Sequence, residues 1–216
     1  MKKLFNFLAI ILIVSFLISC KKDNPTPAPT PVKAMVTGKV LQLNSTTPVP
    51  NARVYLYESI WSGGLGGGEV NISKDTAITN SKGEYSFSYT KRSGSEFFVK
   101  AYATNYYTNN NTRWPIEGSK QVRDVIITPY SWVTLRVIND PSLNISNYIE
   151  IGGDWNTSED FHKFGKCDTI FTKRVFGNQK TKIDIFYIND NSKVYLDRID
   201  SFYCKGLDTI SHSIKY

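Results

Sequence analysis

From Lys33 onward the chain alternates between apolar and polar residues in short runs. In Glu84–Tyr89 the side chains of Tyr85, Phe87 and Tyr89 fall on one side and those of Glu84, Ser86 and Ser88 on the other, the period of two of a half-buried antiparallel strand. Met35–Leu41, Ala52–Tyr57, Thr76–Thr79 and Phe97–Tyr102 read the same way, separated by turn-forming stretches at Asn44–Asn51 and Asn80–Gly83. A second series follows at Val122–Thr128, Ser131–Ile138, Tyr148–Ile151, Ile170–Phe176, Lys182–Ile188, Val194–Cys204 and Thr209–Tyr216. Pro129 and the clusters Asn139-Asp140-Pro141 and Asn189-Asp190-Asn191 punctuate it. The pattern predicts an all-β protein with two consecutive antiparallel β-sandwich-like domains, residues 33–128 and 129–216.

The first thirty residues break this pattern. Lys2 and Lys3 precede an almost wholly apolar run from Leu4 to Ile18, too short to span a bilayer comfortably, so residues 1–19 read as an export signal. The run ends in Leu17-Ile18-Ser19-Cys20, which resembles the lipoprotein signal-peptidase motif. The resemblance implies cleavage before Cys20 and a thioether-linked lipid on its sulfur, where several acyl chains anchor far more firmly than one. Residues 20–32 alternate Pro with small or polar residues, an extended polyproline-II spacer with no face to bury. Lys21 and Lys22 leave out the Asp that resembles an inner-membrane retention signal, so the expected location is the outer membrane, facing either the periplasm or the surface.

Three further elements carry a family resemblance. Val36-Thr37-Gly38-Lys39-Val40, then Pro48-Val49-Pro50-Asn51-Ala52-Arg53-Val54-Tyr55-Leu56, then Thr79-Asn80-Ser81-Lys82-Gly83-Glu84-Tyr85-Ser86-Phe87 together resemble the carboxypeptidase regulatory-like (transthyretin-like) domain over residues 33–128. The resemblance implies a small β-sandwich of accessory, non-catalytic character. Gly38 and Ala52 are expected where strands crowd, and Gly83 at a turn position of positive φ. Glu58–Lys74 stands out as a long insertion. The second domain resembles no family.

Composition agrees with strands: the chain holds 13 Tyr, 12 Phe and 4 Trp against 2 Met. Removal of Lys2 and Lys3 from the 26 basic residues leaves 24 against 19 acidic ones, a mature net charge of +5 with no block of like charge. That balance suits solubility and nearness to anionic lipid or polysaccharide, and it argues against a nucleic-acid groove.

Candidate chemistry is sparse. Gly63–Gly68 lacks the Lys-Ser/Thr and helix start of a phosphate loop and reads as a flexible inter-strand loop with Trp61 at its edge. With Cys20 lipidated, Cys167 and Cys204 remain; in an oxidising envelope they are a candidate disulfide closing a loop of about 38 residues, worth roughly 3–4 kcal/mol. The spacings His162-x4-Cys167 and Cys204-x7-His212 lack the tight pairs of a structural zinc site, so no metal is expected. Neither histidine sits in a nucleophile context, and Glu159-Asp160 reads as a solvated turn; no catalytic residue and no cofactor are expected. Asp75-Thr76-Ala77, Asp168-Thr169-Ile170 and Asp208-Thr209-Ile210 match a loose bacterial O-glycosylation sequon, which makes Thr76, Thr169 and Thr209 candidate attachment points. The expected role is that of a non-catalytic envelope lipoprotein that binds or supports a protein partner. The alternative is glycan capture, with Trp61, Trp114 or Trp155 as stacking platforms.

Overall fold

The computed structural model describes residues 31–63, 67–92, 94–109, 112–139, 148–156, 160–165, 167–188 and 194–216. The expected export signal, Cys20 and nearly all of the Pro-rich spacer therefore lie outside the described residues, as does Glu159. The rest is all-β, and three sheets form two sandwiches.

In the first sandwich, β1 (Val32–Gln42) pairs antiparallel with β4 (Glu84–Lys91). The facing sheet has the order β3 (Glu69–Ile78), β2 (Arg53–Trp61), β5 (Glu96–Tyr102) and β7 (Trp114–Ile116). Between the layers lie Val36, Val40, Val54, Leu56, Phe87 and Phe97, together with Ala52 at 0% exposure. Two short strands, β6 (Tyr106–Tyr107) and β8 (Lys120–Val122), complete this half. The conformational demands read from the sequence are met. Gly83 has φ +73°. A Cβ on Gly38 would fall 1.9 Å from the Arg123 carbonyl oxygen, where β1 crowds against the chain leaving β8.

Residue 128, the expected domain boundary, falls inside β9 (Val125–Ile138). Pro129 does not end the strand. Val125, Ile127, Pro129, Ser131, Val133, Leu135 and Val137 all point inward, so one side of a 14-residue strand lines both cores. Val40–Gln42 of β1 run parallel to its first residues, and Tyr106 of β6 lies opposite Pro129. Beyond that point its neighbours become β12 (Asp168–Phe176), antiparallel, and β15 (Thr209–Lys215), parallel. A proline has no N–H to donate, so a ladder can change partners there without stranding a donor. The second facing sheet runs β11 (Phe161–Phe164), β10 (Tyr148–Gly153), β13 (Gln179–Ile188) and β14 (Val194–Cys204). It closes over Leu135, Ile149, Ile151, Ile183, Ile185, Ile214 and Tyr216.

The Glu58–Lys74 segment also differs from expectation: it is mostly ladder, with β2 running on to Trp61 and β3 starting at Glu69. Ser62 N–H donates to the Gly68 carbonyl (3.0 Å) to close the arm. Because β3 is exposed at nearly every position, it lacks the burial alternation that marks the other strands.

One side chain ties the two halves together. Asn178, 7% exposed, sits in the β12–β13 turn with φ +57°. Its Nδ2 donates to Gln42 Oε1 (3.1 Å) and to the Leu43 carbonyl (3.0 Å), while its Oδ1 accepts from Gly206 N–H (2.7 Å). Asn44 Nδ2 returns a bond to the Asn178 carbonyl (3.0 Å). The Asn178→Ala variant strands buried partners on both sides and places a Cβ-bearing residue without a local polar contact at positive φ; we expect a loss of about 3–5 kcal/mol in urea unfolding. Asn178→Gly relieves the backbone but not the hydrogen bonds, and should recover only about 1 kcal/mol of that loss.

Candidate aromatic binding face

The outward side of the β3-β2-β5-β7 sheet gathers aromatic residues in adjacent strands. Register places Tyr55 beside Lys100 and Tyr57 beside Phe98 on β5, with Tyr102 one pair further along. Tyr57 stacks on Phe98 with centroids 5.1 Å apart and planes 13° apart. Tyr55 stacks on Tyr57 (6.1 Å) and meets the edge of Tyr102 (5.7 Å). The Arg113 guanidinium lies 5.1 Å from the Phe98 centroid and Lys100 Nζ 5.9 Å from it, which leaves Phe98 itself 3% exposed. Arg113 is held by Glu69, whose Oε1 also accepts from the Ser59 hydroxyl. Burial, with the Tyr57 and Tyr55 hydroxyls nearby, raises the Tyr102 pKa, so its hydroxyl is a neutral donor at neutral pH. Trp61 stands at the end of this face with 68% of its surface exposed. Pattern reading identified Trp61 but not the ladder, because Tyr55 and Tyr57 become neighbours of Phe98 and Tyr102 only through strand pairing.

Beneath the same sheet, Glu58 is an inward-facing carboxylate with 1% exposure. Lys74 Nζ lies 3.0 Å from its Oε2, and the Ser95 hydroxyl donates to Oε1 (2.8 Å). Lys74 reaches it from an irregularity in the β2–β3 register, where Leu56 faces Asp75 and Tyr57 faces Ser73. Burial alone would raise the Glu58 pKa, but the Ser95 and Lys74 hydrogen bonds and the charges of Lys74 and Arg92 bring it below the ordinary 4.5. This carboxylate belongs to the framework.

The residues singled out in the sequence are dispersed. Trp114 and Trp155 pack against the first and second cores, so neither serves as an outward stacking platform. The Cys167–Cys204 bridge is not made. Cys167 precedes Asp168 at one end of β12, whereas Cys204 lies opposite Gln179 just past the other end, a separation on the order of 25 Å for a strand of this length. A disulfide needs Cα atoms within about 7 Å. Instead Cys204, fully buried, contacts Thr181 Oγ1 (3.4 Å), and Cys167 Sγ accepts from the Tyr216 hydroxyl (3.1 Å).

His212 Nε2 meets Asp200 Oδ2 at 2.7 Å, and exposed His162 lies in register with Glu150 on another sheet. Asp160 is exposed beside Gly152. Among the described residues no three His, Cys, Asp or Glu side chains gather to form a metal site. Thr76 and Thr209 are exposed and face outward beside Tyr55 and Trp132, while Thr169 pairs with buried Val137 and is half-buried.

Neither a family model nor a curated protein matches this chain. Among solved structures, it is similar to the Bacillus anthracis TIE protein (TM-score 0.35, 15% identity), covering 85% of this chain and 34% of that one. It is also similar to GBS52, the minor pilin of Streptococcus agalactiae (TM-score 0.36, 11% identity), covering 84% and 94%. The chain thus spans about a third of the TIE protein's length. TM-scores this low do not define a common fold in detail, so function is read from this chain's own residues.

The Glu58 arrangement gives a pH test. A carboxylate with a depressed folded pKa contributes stability above its unfolded pKa and loses it as pH falls through the folded value. Glu58→Gln should melt lower than the parent at pH 7, with the gap closing as pH falls below the ordinary carboxylate range. Lys74→Met should cost about 1–3 kcal/mol at pH 7, because it leaves a buried carboxylate without its cation. Melting curves between pH 3 and pH 7 check both.

Proposed function

We propose that this chain is a lipid-anchored, non-catalytic envelope protein that docks a protein partner on the outer face of its first sandwich. The observation that carries the reading is the Tyr55–Tyr57–Phe98–Tyr102 ladder with Arg113 over it and Trp61 exposed beside it. Tyr, Trp and Arg dominate the energetics of protein interfaces because they bring large rigid area and polar tips at low entropic cost. The adjoining β3 supports the same reading: it is the outer strand of its sheet, ten residues long, and a ready edge for an added strand. The β-sandwich character agrees with the regulatory-like resemblance of residues 33–128.

The anchor reading rests on the signal and Cys20, and the Pro-rich spacer would hold the sandwiches away from an outer-membrane surface. Glycan capture through Trp61 is the second reading, favoured by that residue's exposure alone.

A photocrosslinker at Ser73, exposed and in register with Tyr57, tests the docking face. In intact cells it should yield one discrete protein adduct that Tyr57→Ala plus Trp61→Ala abolishes while the melting temperature is held. Adducts unchanged in the double variant would sink the reading. In parallel, Cys20→Ala should move the protein from the membrane to the soluble fraction without altering the fold of residues 33–216.

A further inference from the structure

The strands β12, β9 and β15 offer a second surface. On the outer face of β12-β9-β15, register aligns Arg174, Trp132 and Thr209 in one row and Thr172, Thr134 and Ser211 in the next. The Arg174 guanidinium lies 4.4 Å from the Tyr130 centroid. Thr134 and Thr172 share a hydrogen bond of 3.1 Å. Arg136, at the other end of the same face, is exposed and lies 3.6 Å from the carboxylate of Asp168, itself exposed. Arg174 has no carboxylate partner among the described residues.

To its aromatic and guanidinium groups this face adds rows of short hydroxyls. Here Tyr130, Phe176 and Trp132 share a face with the hydroxyls of Thr134, Thr172, Thr209 and Ser211, with Arg174 beside the rings and Arg136, next to exposed Ile170, further along. Rings meet the C–H faces of pyranoses, and rows of Ser and Thr hydroxyls match sugar hydroxyls without the long, rotamer-rich side chains that an extended ligand would have to order. Guanidinium groups take carboxylates in bidentate geometry. Arg174 and Arg136 stand one strand and four residues apart, roughly 14 Å between Cα atoms, a span of about three sugar units. The mature chain's net charge of +5 favours an anionic ligand over a neutral one.

We propose that this face binds an acidic polysaccharide, a chain of uronic-acid type, with Trp132 and Tyr130 stacking on sugar rings and Arg174 and Arg136 pairing with carboxylates. The site is separate from the docking face of the first sandwich, so either can fail without the other.

Affinity electrophoresis and titration calorimetry of the mature full-length protein with polygalacturonate, and with neutral dextran as control, test the proposal. Polygalacturonate should bind and dextran should not, with binding weakening as salt is raised. Arg174→Gln, an exposed substitution, should weaken polygalacturonate at least fivefold with an unchanged melting temperature, and Trp132→Ala at least tenfold. The Tyr57→Ala plus Trp61→Ala protein should bind polygalacturonate as the parent does. Equal binding of dextran, no binding of polygalacturonate, or full binding by both Arg174→Gln and Trp132→Ala would overturn the assignment.

Discussion

The unbroken alternation of β9 is the constraint on which the rest of the molecule depends. From Val125 to Val137 every second residue points inward, and the period continues through Pro129. A strand that kept its hydrogen-bond ladder but slipped by one residue would turn all of these side chains to the solvent side. One register therefore fixes which face of both sandwiches is core and, by the same parity, sets Tyr130, Trp132 and Thr134 outward. The exchange of partners at the proline lets a single strand belong to two sandwiches.

Shared strand and shared asparagine act together. β9 gives covalent continuity, but a strand alone can flex where its neighbours change. Asn178 supplies the second attachment, with hydrogen bonds to the end of β1 and to the chain after β14. The Tyr107–Phe176 ring contact at 5.0 Å lies across the same junction. Joined in this way, the two sandwiches form one compact unit over Val32–Tyr216.

Both outer faces owe their chemistry to cross-strand neighbours. The Tyr57–Phe98 stack and the Trp132–Arg174 row each unite residues about 40 positions apart in the chain. Glu58 shows the converse case: an inward carboxylate that a motif search would count as a candidate acid is held by Lys74 and Ser95 as part of the framework. The cysteines make the same point. Composition and compartment favoured a bridge, and the length of β12 keeps the two sulfurs apart.

By itself, the sequence determined the all-β class, most strand positions, the inward set of β4, and the roles of Gly38, Ala52 and Gly83. These are properties of period-two patterning and local backbone sterics, which act over a few residues. The expectation of an export signal ending before Cys20 likewise rests on a linear motif. The sequence did not disclose the part of β3 ahead of Thr76, whose exposed positions carry no burial pattern, nor the continuity of β9 through Pro129, because a proline looks like a break until its missing donor is found at a change of ladder. Tertiary structure alone decided which aromatic residues face water together, that Cys167 and Cys204 stand apart, and that Asn178 joins the halves. Each of these is a pairing across long sequence separation, set by register and strand order rather than by any local run of residues.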